Sequence, residues 1–140
     1  MQQPRQLVDR LSRLVEVRQD IECPAAVWIK QLQRFASSIP DTILEKESNV
    51  LRSMSDPTRL KILHLLSQGR ELCVCEIQVA VGQSQPLTSH HLNELRLGGI
   101  VVSRRTGTWV YYRLANNRLA RTLDALRELT QEDRAILLKT

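Results

Sequence analysis

A chain of 140 residues, 42% of them apolar and 25% charged, has the balance of a globular domain around one core and excludes a disordered tail. Twenty Lys and Arg against fifteen Asp and Glu leave a net charge of +5, which favours polyanionic partners. No run reaches the ~20 apolar residues of a membrane span, and the charged first twenty residues hold no signal-peptide block, so a cytoplasmic protein without a membrane partner is expected.

Residues 5–19 place Leu7, Leu11, Leu14 and Val15 at the spacing of one amphipathic helix face. Pro24 suits the first turn of a second helix carrying Trp28, Leu32, Phe35 and Ile39, which Pro40 closes. Asp41 can cap a third helix with Ile43, Leu44, Val50, Leu51 and Met54 as its apolar positions. Asp56 before Pro57 marks the next start, because a carboxylate accepts orphan backbone amides and proline is tolerated at the first helical position. That helix runs to Leu66.

Residues 71–81 read as a short helix with Val74, Ile77 and Val81 inward, ended at Gly82. Ser84 caps a further helix over 85–97, with Leu87, His91 or Leu92, and Leu95 on its buried side, and Gly98 and Gly99 end it with a left-handed cap. Residues 100–105 and 109–114, rich in Val, Tyr and Trp and parted by Thr106, Gly107 and Thr108, predict a hairpin. Asn116 caps a last helix whose stripe is Leu119, Leu123, Leu126 and Leu129, extended by Ala120 and Ile136. The chain thus divides into an amino-terminal helical extension (1–45), a core (46–115) and a carboxy-terminal helix (116–140). The fold class is mainly α with a small β-hairpin.

Two short helices joined by a Gly-containing turn and followed at once by a basic hairpin predict a winged helix-turn-helix. Its second helix opens with Gln83, Ser84, Gln85, Thr88, Ser89, His90, His91 and Asn93, most of them side chains that exchange hydrogen bonds with base edges. Arg96, Arg104, Arg105 and the glycine tip, Gly107, are candidate contacts to the DNA backbone. Between residues 83 and 118 five arginines face one acid, Glu94, a net +4 in about a quarter of the chain. The competing explanation is a polar face that merely meets solvent.

Three cysteines, Cys23, Cys73 and Cys75, are an odd number, which argues against a disulfide framework and for thiol chemistry or metal binding. Cys73 and Cys75, in ELCVCEI, form a soft pair suited to arsenite, antimonite, lead, cadmium, zinc or copper(I), and unsuited to magnesium or calcium. Residues two apart in a regular helix point about 200° apart, so closing both sulfurs on one ion is expected to distort the helix. As structural residues the same cysteines would be small apolar fillers. No Ser/His/Asp or Cys/His arrangement, paired carboxylate or phosphate-cradling glycine loop points to an enzyme.

The stretch 55–114, with DPTRL, ELCVC, QSQP followed by SHHL, and GTWVYYRL, resembles the ArsR/SmtB family of metalloregulatory winged-helix repressors, in particular its arsenical-resistance branch. The resemblance implies a homodimer, joined through its terminal helices, that occupies double-stranded operator DNA and leaves it when a metal or metalloid binds. It implies Cys73 and Cys75 as ligands. It also makes Cys23 the candidate third ligand, by analogy with cadmium- and lead-responsive members that draw thiolates from an amino-terminal extension. Three thiolates match arsenite, whereas zinc usually takes four ligands. Two departures stand out: Gln78 occupies the place where arsenical repressors commonly carry another cysteine, and no histidine follows His91, so the family's second metal site is absent. The expectation is a repressor released by arsenite or antimonite. Its rivals are a cadmium, lead or zinc sensor with the same ligands and a thiol redox regulator.

Overall fold

Most element boundaries follow from local hydrogen-bond chemistry. The computed structural model describes residues 4–137, and their side chains over 5–131. Two compact units divide the chain, Met1–Glu45 and Lys46–Thr140.

In the first unit α1 (Pro4–Val17) packs against α2 (Ala25–Ser38). Pro24 stands one position before α2 rather than in its first turn, and its carbonyl accepts from the Val27 and Trp28 N–H groups at 3.0 Å. Pro40, not Asp41, plays the same part for α3 (Asp41–Met54), accepting from Ile43 at 3.0 Å and Leu44 at 3.2 Å. Asp41 lies within the first turn, where its charge complements the helix dipole.

In the second unit α4 (Pro57–Leu66) opens as expected, with Asp56 Oδ1 accepting from the Arg59 N–H at 3.0 Å. A two-residue strand, β1 (Leu72–Cys73), then stands where a helix start was expected, and α5 spans only Val74–Val81. The Ser84 hydroxyl caps α6 (Gln85–Leu97), and the Asn116 side chain accepts from the Arg118 N–H at 2.9 Å to open α7 (Arg118–Leu137). After α6 the Ile100 N–H reaches Leu95 O and the Gly99 N–H reaches Arg96 O, both at 3.0 Å, which is a Schellman ending. It needs the left-handed φ of +72° that Gly99 supplies.

Strands β2 (Val101–Thr106) and β3 (Trp109–Leu114) pair antiparallel with Thr106 opposite Trp109, so the loop is two residues, Gly107 and Thr108, rather than three. Gly107 has φ +60° and Thr108 does not have positive φ, the pattern of a type II′ hairpin. The hairpin is not alone: β1 pairs with β3, giving a three-stranded sheet of order β1-β3-β2. The core beneath it joins Ile62, Leu63 and Leu66 of α4, Ile77 of α5, Leu92 and Leu95 of α6, Ile100, Val101 and Leu123. Burying each such side chain contributes about 1.5–3 kcal/mol.

The α7 stripe enters this core at Leu123, which is fully buried, and then turns outward at Leu126 and Leu129. Leu126 and the α3 residues Leu51 and Met54 line an open apolar groove of about 490 Å³. Ile136 lies outside the described side chains. Among the described residues no helix is long and apolar enough to cross a membrane.

Candidate nucleic-acid interface and thiol cleft

At about 100° per residue, Gln85, Ser89, Asn93 and Arg96 fall within about 80° of arc on α6. They form one polar stripe tied together along the helix. Gln85 donates to Ser89 Oγ at 3.4 Å and Arg96 donates to Asn93 Oδ1 at 2.9 Å. The arc next to it holds Thr88, His91, Leu92 and Leu95, all buried.

Two expected base-reading residues therefore belong to the core. Thr88 is 0% exposed and its hydroxyl donates to Ser84 O at 2.9 Å, so its hydrogen bond is spent within the helix. His91 is 7% exposed, with Nδ1 3.8 Å from Asp56 Oδ1 at the head of α4. Leu87, expected inside, is 40% exposed, because it lies about 100° further round the helix than Thr88. Ser84 Oγ accepts from the Leu87 N–H at 3.4 Å and so serves as the cap, while Gln83 is half-buried and His90 exposed.

The wing arginines divide. Arg104 Nη2 donates to Glu71 Oε2 at 2.6 Å, Nη1 donates to Thr106 Oγ1 at 2.7 Å, and the guanidinium lies 5.0 Å from the centre of the Tyr111 ring. Arg113 Nε stands 3.9 Å from the same carboxylate. The Arg104 hydrogen bond holds the Glu71 carboxyl below its ordinary range. Arg104 is thus paired with Glu71 while staying exposed, whereas Arg105, also exposed, lies two positions before Gly107. Sequence reasoning missed Glu71, because its partners lie more than thirty residues away.

The thiols sit differently from the expectation. Cys73 precedes α5 with extended backbone, φ −77° and ψ 161°, and its N–H donates to Glu76 Oε2 at 2.7 Å. Only Cys75 is helical, so the geometry of two positions in one helix does not apply. A side-chain hydrogen bond with Cys75, reinforced by burial, raises the Cys73 thiol above its ordinary pKa. Cys73 is buried and Cys75 exposed. Two adjacent sulfurs suit a thiophilic centre.

Both open into a cleft of about 390 Å³ whose walls include Gln85 and Ser89 of α6 and Thr108 and Trp109 of the wing. Cys23 belongs to the first unit, half-buried after α1 beside Trp28 in a hollow of about 320 Å³. Among the described residues no group of three or more His, Cys, Asp and Glu side chains is set to hold a metal.

Comparison with known proteins adds to this geometry. Residues 56–103 match the model of the bacterial regulatory protein, arsR family. An uncharacterized HTH-type transcriptional regulator of Methanocaldococcus jannaschii is 40% identical over 85 residues, 61% of this chain and 96% of that protein. The arsenical resistance operon repressor of Escherichia coli K12 is 47% identical over 66 residues, 47% of this chain and 56% of the repressor. The solution structure of a homodimeric winged helix-turn-helix DNA-binding domain from Mycobacterium bovis, a possible ArsR-family transcriptional regulator, superposes with a TM-score of 0.62. It shares 34% identity and covers 66% of this chain and 85% of its own.

Proposed function

Because the chain belongs to the arsR family of bacterial regulatory proteins, DNA-binding transcriptional regulators rather than enzymes, we propose that it represses as a homodimer on operator DNA and is released by arsenite or antimonite at Cys73 and Cys75. The observation that carries this reading is that Cys73 and Cys75 line one cleft together with Gln85 and Ser89 of α6. Arsenous acid condenses with two thiols as As(OH)₃ + 2 RSH → As(OH)(SR)₂ + 2 H₂O. Two As–O bonds break, two As–S bonds form, each thiol proton leaves in water, and no oxidation state changes. Cys23, from the same or a second copy, is the proposed third thiolate and displaces the last hydroxyl in the same way.

On the DNA side, Gln85, Ser89 and Asn93 are the proposed base-reading stripe, with Arg96 and Arg105 as phosphate contacts. Tight binding to a duplex selected from a random library should weaken steeply with salt. Arsenite should release the wild-type protein while leaving Cys73→Ser and Cys75→Ser bound. Undiminished release of the double serine variant would overturn the ligand assignment, and release by cadmium at lower concentration than arsenite would change the inducer.

The two chemistries differ in protons. Arsenite condensation with thiols consumes none and releases none, whereas a divalent cation displaces a proton from each thiol it binds. Below the ordinary thiol pKa of ~8.5, release by arsenite should change little with pH, and release by cadmium should strengthen steeply as pH rises.

A further inference from the structure

The cleft suggests how occupancy of the thiols reaches the DNA. Cys73 lies outside α5 and Cys75 inside it, so the two sulfurs are not two positions of one helix, and a route for the release signal other than helix distortion is open. The thiols instead open into a space shared with the DNA-reading surface. One wall is Gln85 and Ser89, the head of the polar stripe on α6, and the other is Thr108 and Trp109, next to the wing tip. In a winged helix-turn-helix the reading helix enters the major groove, and a wing beside it can reach the backbone, so nucleic acid gripped by both passes over the mouth of this cleft. Trp109 is 56% exposed at that mouth, and Cys75 is open to it.

We propose that the cleft between α6 and the wing is a single site with two exclusive occupants, the operator DNA in the repressing state and the thiol-bound ligand in the released state. An atom held by Cys73 and Cys75 occupies the cleft that Gln85 and Ser89 also line, and so takes the space that DNA against those side chains needs. Cys73 pairs with Tyr111 of β3 through the sheet, so the same ligand is anchored to the strand that carries Trp109. Release is then displacement, and no complex holds both partners. This deepens the preceding proposal and rests on it for the identity of the ligand, while the placement of the cleft against DNA stands apart from that identity.

The experiment has two arms on the full chain. In the first, operator affinity is measured by fluorescence anisotropy across a sodium arsenite series. Exclusive occupancy predicts an apparent Kd that rises in proportion to arsenite, without a plateau, until nonspecific binding takes over, typically 10³- to 10⁷-fold weaker than specific binding. A plateau within about 5- to 150-fold, the usual span of coupling between separate sites, overturns the proposal. The second arm needs no metalloid. Iodoacetamide alkylation of Cys75 in the Cys23→Ser protein is followed by mass spectrometry, with and without saturating operator. The expected result is at least tenfold slower alkylation on DNA, and an unchanged rate overturns the proposal. Absence of arsenite binding with full protection of Cys75 would remove arsenite as the ligand and leave the shared cleft standing.

Discussion

The two units of this chain answer the same physical demand in opposite ways. From Lys46 onward the helices bury Ile62, Leu63, Leu92 and Leu123 completely, and their own neighbours provide the cover. Among described residues 5–45 no side chain is buried, and Leu7, Leu14, Leu32 and Phe35 stay open although α1 and α2 are well patterned. Amphipathic periodicity says which face wants to be dry; it does not say whether the same chain dries it. An uncovered apolar face marks an association surface, and a second copy is the proposed occupant.

The largest effect expected from this contrast is in the second unit. Leu92→Ala should lower the stability of the folded protein by about 2–5 kcal/mol, read as a shift in the urea midpoint, since the vacated space is walled on every side. Asp56→Ala removes an N-cap and should cost about 0.5–2 kcal/mol, while Asp56→Asn should keep most of it. The hydrogen bond from the Arg59 N–H lowers the Asp56 pKa. The stability it provides is therefore complete above the unfolded carboxylate value of ~3.9 and is lost as pH falls through the lower folded value. The Asn variant should lack this acid limb in a stability-against-pH series.

A smaller effect is expected at the wing. Glu71→Gln removes the carboxylate that holds Arg104, freeing a guanidinium for a phosphate, and should steepen the salt dependence of operator binding by about 0.9 per added contact. An unchanged slope would mean that Arg104 is not within reach of DNA. The smallest is Phe35→Ala in the first unit, 70% exposed, which should alter the stability of dilute protein by no more than about 0.5 kcal/mol. A loss matching that of Leu92→Ala in dilute, monomeric protein would erase the distinction between the units.

What could be read from sequence was whatever chemistry lies within a few residues. Asp56 with Pro57, Ser84 with Pro86, and Asn116 announce helix starts because their acceptors reach amides two or three positions on. The β1 strand escaped because two residues carry no period, and its existence depends on β3, nearly forty residues later. Thr88 and His91 are polar yet buried, and for His91 the helix pattern already offers the buried side; for Thr88 the signal is that it lies four residues after Ser84, where a threonine hydroxyl can bond back to the helix carbonyl. The thiol pair is visible as a motif, but the placement of Cys73 turns on β1, which takes it out of the helix that holds Cys75.

One titration addresses the central claim that ligand at Cys73 and Cys75 controls the grip on DNA. Arsenite is added to the protein on labelled operator, with arsenic–sulfur absorbance and operator anisotropy recorded on the same samples, for the wild type and for the Cys73→Ser, Cys75→Ser double variant. The account predicts that the absorbance rises and the anisotropy falls together in the wild type, and that neither changes in the variant. Absorbance that saturates on the wild type while the operator stays bound would contradict it.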